Sequence, residues 1–138
     1  MTVGRRTTVD VPGFAHANPV PVASRVGPFL ATGALTGRDP GTREMPDGLD
    51  AQCTNVFRHV RAVLAAAGGG PGDVLKLTVH LVDPGDREAL NREWTALFPD
   101  PADRPARQVV AATLGGGALV HVDLLAVLEE TRGGGRVG

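Results

Sequence analysis

Residues 117–128 read GALVHVDLLAVL. Side chains of an extended strand alternate between two faces, so Val120, Val122, Leu124 and Leu128 share one face. Leu119, His121, Asp123, Leu125 and Val127 share the other. Both faces are apolar for most of their length, and the second also carries two ionisable groups one strand-step apart. Such a strand requires a core on one side and a different kind of neighbour on the other.

The flanking segments supply the core. DVLKLTVHLVD (73–83) alternates, which predicts a strand with Leu75, Leu77, Val79 and Leu81 on one side and Lys76, Thr78 and His80 on the other. PVASRVGPFLATGAL (21–35) falls within two strands, Val20–Val26 and Phe29–Leu35, joined as a hairpin at Gly27-Pro28. Residues 3–13 fit a short edge strand, and Ala106–Leu114 a strand that opens on Arg107 just after Pro105. The glycine turn 115–117 separates it from a final strand, Ala118–Leu128.

Two helices complete the pattern. Leu49, Cys53, Val56, Phe57, Val60 and Leu64 recur at three- and four-residue steps, predicting a helix over Leu49–Ala67 with Asp47 as N-cap. Gly68-Gly69-Gly70-Pro71 ends it. Asp86 is the expected cap of a second helix, Arg87–Phe98, whose buried side is Leu90, Trp94, Leu97 and Phe98. Right-handed strand–helix–strand crossovers then place both helices on one face of a mixed sheet, an α+β fold. The other face stays bare in a single copy. At about 25 cal/mol per Å² of apolar area, that face is expected to find a partner in a symmetric homo-oligomer.

Composition bounds the function. The 138 residues carry a formal net charge of −1, so a polyanion partner such as nucleic acid is not expected. One cysteine, Cys53, forbids an internal disulfide; it lies on the helix stripe, where packing accounts for it. The opening MTVGRRTTVDVPG lacks the apolar run of a signal peptide, and no stretch suits a membrane span, so a cytoplasmic protein is expected. The 19 glycines and 11 prolines lie largely in turns and read as punctuation between elements. The organisation expected is an extension over 1–17, one domain over 18–130 and a glycine-rich tail over 131–138.

Few residues offer chemistry. Arg107 presents a planar fork suited to a carboxylate, worth about 1.5–3 kcal/mol per charge-assisted bond when sheltered; a surface ion pair is the plainer reading. His121 carries an imidazole that exchanges protons near neutral pH, and Asp123 lies beside it on the same face. Thr78, His80 and Asn91 are expected to be solvated. The spacing of His80, His121 and Asp123 is not diagnostic of a metal, and none is expected.

Taken together, VGPFLATGALTGRDPGTRE (26–44), VRAVLAAAGGGPGDVLKLTVHLVD (60–83), ALNREWTALFPD (89–100), RPARQVV (104–110) and GALVHVDLLAVL resemble the Rid family of reactive intermediate deaminases, also called YjgF or L-PSP proteins. The likeness spans residues 18–128. It implies a chorismate-mutase-like fold assembled as a homotrimer, with sites in the clefts between subunits. It also implies hydrolysis of an enamine or imine on a small carboxylate to a carbonyl and ammonia, without metal or organic cofactor. By the same resemblance Arg107 matches the arginine that holds the substrate carboxylate. Thr32 and Gly33 match a Ser-Gly turn near the substrate, and Asn91 matches an asparagine of the second helix. His121 stands where deaminases usually have a water-activating glutamate, Asp123 matches the acid two residues on, and Val109 replaces a frequent cysteine. The expected catalytic pair is therefore Arg107 and His121 in one cavity closed by a second copy, with Thr32, Gly33, Asn91, Val109 and Asp123 contacting substrate. The alternatives are a tailoring enzyme of secondary metabolism acting on, for example, an aminomuconate-like acid, and a trimeric small-ligand binder without catalysis.

Overall fold

The computed structural model describes residues 5–12 and 19–129. Its strands are β1 (Arg6–Val9), β2 (Ala23–Val26), β3 (Phe29–Thr32), β4 (Leu35–Thr36), β5 (Val74–Leu81), β6 (Ala106–Ala111) and β7 (Val120–Val127). Its helices are α1 (Leu49–Ala66) and α2 (Glu88–Leu97). The seven strands form one mixed sheet in the order β1-β2-β3-β7-β5-β6, with β4 also paired to β7. β5 and β6 are parallel, as the intervening helix α2 requires, and every other pairing is antiparallel. The edge strand expected within residues 3–13 is β1; the expected tail over 131–138 lies outside the described residues. Among the described residues no helix is long and apolar enough to cross a membrane.

Both helices pack on one face. Val56, Phe57, Val60, Val63 and Leu64 of α1 and Leu90, Trp94 and Leu97 of α2 are buried in one cluster with Leu30, Leu77, Val79, Val120, Val122 and Leu124 of the sheet. The opposite face keeps Phe29 63%, Leu125 46% and Val127 39% exposed. This is the bare apolar face that the alternation of GALVHVDLLAVL implied.

Several local expectations need correcting, each for a stated reason. Leu75 is not on the buried side of β5: a bulge between Val74 and Lys76 inserts one residue, so Val74 turns inward and Leu75 is 58% exposed. The expected strand Phe29–Leu35 breaks after Thr32, because the Thr32 hydroxyl accepts the Leu124 N–H at 3.0 Å and Gly33 N–H turns to the Val22 carbonyl at 2.9 Å. β6 stops at Ala111, opposite the last residue of β5. β7 starts at Val120, after Gly116 and Gly117 turn the chain with φ of 66° and 79°. Neither aspartate caps a helix: the N-caps are Gly48 and Arg87, without side-chain bonds. The end of α1 is as expected, with Gly68 at φ 82° and the Gly69 N–H bonded to the Leu64 carbonyl at 2.8 Å.

One polar stripe lies inside α1. Gln52, Asn55 and His59 are buried at helical spacing and bind backbone rather than one another. Gln52 Nε2 donates to the Pro46 and Gly117 carbonyls at 2.7 and 3.0 Å, and its Oε1 accepts the Leu119 N–H at 2.7 Å. Asn55 Nδ2 donates to the Gly37 carbonyl at 3.0 Å, and His59 Nε2 donates to the Arg38 carbonyl at 2.8 Å. Gly37 passes so close that an added Cβ would fall 2.7 Å from Gln52 Cβ. These bonds tie the loop after β4 and the entry to β7 onto α1. Replacing Gln52 with Leu strands three backbone groups, and a loss of about 2–4 kcal/mol is expected by urea denaturation. An unchanged midpoint would refute the role of Gln52 as the tie.

Candidate active site

The residues singled out in the sequence fall into two clusters on opposite sides of the sheet. In the parallel pairing of β5 and β6, Arg107 lies opposite Leu77 and Val109 opposite Val79. Leu77 and Val79 face the helices, so Arg107 and Val109 do too, and Val109 packs against the core. His121 lies opposite His80 and Asp123 opposite Thr78, all on the open face. One copy of the chain therefore does not bring Arg107 and His121 together.

The first cluster is built on α2. Arg87, Asn91 and Trp94 recur at steps of four and three, one stripe of the helix. Asn91 Oδ1 accepts a hydrogen bond from Arg107 Nη1 at 2.8 Å. The guanidinium carbon stands 5.0 Å from the centre of the Trp94 ring, a cation–π contact. Trp94 is itself steadied by the tilted ring of Phe98, with ring centres 4.8 Å apart. Asn91 is exposed, as expected, and it is also the arm that aims Arg107. Among the described residues no carboxylate forms an ion pair with Arg107. Burial, and after it the nearby Arg87 charge, push the Arg107 pKa below its ordinary value. A sheltered guanidinium with a neutral aiming partner and no counter-ion is suited to receiving an anion.

The second cluster lies across β4, β7 and β5. Thr36, His121 and His80 occupy neighbouring positions on these strands. Asp123 Oδ2 pairs with His80 Nε2 at 3.1 Å. Asp123 therefore serves His80, which sequence reading had left to solvent. Only the register, which puts His80 one row from Asp123, could reveal that pair. Burial lowers the pKa of His121, and the neighbouring His80 lowers it further. The imidazole is consequently neutral near pH 7 and able to accept a proton. Along β7 the face turns apolar, where Phe29, Ala31, Leu75, Leu125 and Val127 border a groove of about 230 Å³.

The remaining candidates are placed as follows. Thr32 Oγ1 donates to the Gly33 carbonyl at 2.8 Å as well as accepting from Leu124, so its hydroxyl shapes the bend between β3 and β4. Gly33 sits in that bend. Cys53 is fully buried and its thiol is pushed up to about 12, chiefly by burial, which leaves it unreactive. Among the described residues no three His, Cys, Asp or Glu are grouped to hold a metal ion.

Known proteins share this architecture. Residues 14–128 match the family model described as Endoribonuclease L-PSP. A RutC family protein of Synechocystis sp. is 36% identical over 131 residues, covering 93% of this chain and 98% of the relative. The 2-iminobutanoate/2-iminopropanoate deaminase of Escherichia coli is 31% identical over 104 residues, covering 74% of this chain and 81% of the relative. The crystal structure of RidA from the Antarctic bacterium Psychrobacter sp. superposes with a TM-score of 0.78 at 31% identity, covering 91% of this chain and 100% of that one. The YjgF gene product of Escherichia coli superposes with a TM-score of 0.79 at 27% identity, covering 88% and 98%. With a family model spanning the domain and the same two helices on the same mixed sheet, the chain belongs to the Rid (YjgF/L-PSP) family.

Proposed function

We propose that this protein hydrolyses an imine, or the enamine that tautomerises to it, on a small carboxylate such as an imino acid or an aminomuconate-like acid, giving a carbonyl and ammonia. The observation that carries this reading is the guanidinium of Arg107, aimed by Asn91, backed by Trp94 and lacking an ion-pair partner among the described residues. The name of the Escherichia coli relative, an imine deaminase, supports it.

In this mechanism Arg107 holds the substrate carboxylate through charge-assisted bonds. Neutral His121 takes a proton from water as its oxygen adds to the imine carbon, and passes that proton to the imine nitrogen. The tetrahedral carbinolamine then collapses: the hydroxyl proton passes to His121, C=O forms, the C–N bond breaks and ammonia departs. His121 supplies the proton needed by the leaving nitrogen and returns to its neutral state. No organic cofactor or metal enters these steps.

Arg107 and His121 leave opposite faces of the sheet, so a shared cavity requires Arg107 from one copy and His121 from a neighbour. The exposed patch of Phe29, Leu75, Leu125 and Val127 fits the contact between copies in a cytoplasmic homotrimer. A two-copy site also explains why the polar end of the open face adjoins an apolar one. The charge balance of the chain does not suit nucleic acid as substrate, although the family model's description names an endoribonuclease.

Three experiments test this reading. With freshly generated imino acids, Arg107→Ala is expected to lower kcat/KM by about 10- to 100-fold and His121→Ala to lower kcat by about 10²–10⁴, read as ammonia release. Turnover indifferent to both would refute the mechanism, and ligand-induced thermal stabilisation without product would leave a binder instead. Subunit exchange between these two inactive variants should restore activity, to about a quarter of wild type if each site joins two copies at random; no recovery would refute the two-copy site. Leu125→Asp should at the same time reduce the mass seen by light scattering to that of one chain. The pH profile supplies the third test. A protonated His80 opposes a second cation on His121, so removing it with His80→Gln makes protonation easier and raises the His121 pKa. The acid limb of kcat/KM should then move to higher pH, and a limb that stays in place would exclude His121 as the titrating base.

A further inference from the structure

The open face carries an ion pair that the mechanism above does not use. β5 and β7 run antiparallel with His80 directly opposite His121 and Thr78 directly opposite Asp123. Residues opposed in this way hold their Cβ atoms about 4.5–5.5 Å apart, and both imidazoles leave the same face of the sheet. Asp123 reaches diagonally across to His80, its Oδ2 3.1 Å from His80 Nε2. A carboxylate only accepts, so Nε2 carries the hydrogen and Nδ1 is the nitrogen left to exchange a proton. The other strands bring no charge to this row: β6 sets Val110 opposite His80, and β4 sets Thr36 opposite His121. Lys76, the other cation of this face of β5, is four residues back, about 13 Å along the strand. The two rings thus have unlike settings. A charge on the His80 ring is met by the Asp123 carboxylate, whereas among the described residues no carboxylate pairs with His121.

We propose that the Asp123–His80 pair is the acid of this site, His80 Nδ1 giving the proton that the imine nitrogen needs while His121 accepts the one that water loses. This rests on the reading of His121 as the base and adds a second catalytic group, with Asp123 as its positioning residue. The proton leaves a water oxygen and is needed on a nitrogen, two different atoms, and two rings set side by side serve both at once. The protons balance over the cycle. In the addition the O–C bond forms, the C=N π electrons move to nitrogen, the His80 imidazolium protonates that nitrogen, and His121 takes a proton from water. In the collapse His121 returns its proton to the amine and the hydroxyl proton passes to His80. The O–H electrons form C=O, and the C–N electrons leave with ammonia. His80 ends as the imidazolium and His121 as the neutral ring, as they began. Burial and the neighbouring His80 ring, which hold the His121 pKa below its ordinary value, agree with this division.

The test uses the full-length protein with 2-iminopropanoate and 2-iminobutanoate, released from alanine and 2-aminobutanoate by an amino-acid oxidase. Ammonia is followed above the uncatalysed rate. The wild type is expected to show a bell-shaped kcat/KM profile, with His121 setting the acid limb and His80 the basic limb. His80→Gln should lower kcat by about 10²-fold and abolish the basic limb while an acid limb remains. Asp123→Asn keeps a hydrogen-bond acceptor but not the charge, so the imidazolium gives up its proton more easily and the basic limb should move to lower pH. A structural role for the pair would leave that limb in place. A basic limb that survives His80→Gln or does not move in Asp123→Asn would overturn the inference, as would the absence of such a limb in the wild type. His121→Ala separates the two readings. If it abolishes turnover while His80→Gln runs at the wild-type rate, the base stands without this acid. If it changes nothing, or the wild type turns over neither imino acid, the base reading fails and this inference with it.

Discussion

A single sheet with only two helices to cover it governs this molecule. Burial of α1 and α2 satisfies one face, and strand alternation then sorts every residue of β5, β6 and β7 to a covered or an open side. Val120, Val122 and Leu124 enter the core, and the residues between them cannot follow. His121 and Asp123 are therefore on the open side by geometry, whatever their chemistry. The same rule sends Arg107 to the covered side because Leu77, its neighbour on β5, is a core residue. The division of the candidate site into two clusters follows from the pleat.

Each cluster then acquires its character from local partners. Arg107 sits at the margin of the core, where Asn91 and Trp94 supply a hydrogen bond and a ring face but no negative charge. A neutral setting of this kind orients a cation without satisfying it. On the open face Asp123 is taken by His80, which leaves His121 with burial and a potential cation as its neighbours. Both push in one direction, toward a neutral imidazole. The buried amides of α1 serve a different purpose. Gln52 and Asn55 satisfy loop carbonyls and the Leu119 N–H, and so hold the start of β7 in the register that these clusters need.

Much of this was legible in the residues. The periodicity of Cys53, Val56, Phe57, Val60 and Leu64 located α1 within one residue at its C-terminal end, and the glycine run that ends it adopts the expected left-handed turn. The alternation of 117–128 revealed one face for a core and one without cover. The failures share a cause. Leu75 was assigned inward because alternation assumes an unbroken ladder, and a bulge breaks it without a mark in the sequence. Asp47 and Asp86 looked like caps because the residue type was right, yet the chain enters each helix at the following residue. Asn91 is exposed as read, but its bond to Arg107 was not legible, because nothing local connects it to a residue sixteen positions away.

The sequence by itself determined the elements, their order, the two-faced character of the last strand and the few residues able to bind an anion or move a proton. Those are local properties, written in periodicity and in side-chain chemistry. Only the tertiary structure decided which of these residues meet. The pairing of β5 with both β6 and β7 put Asp123 on His80, set Arg107 on Asn91 and Trp94, and separated Arg107 from His121 by the thickness of the sheet. Strand order and register are settled by the sum of many weak long-range contacts, and no short stretch of chain carries that information.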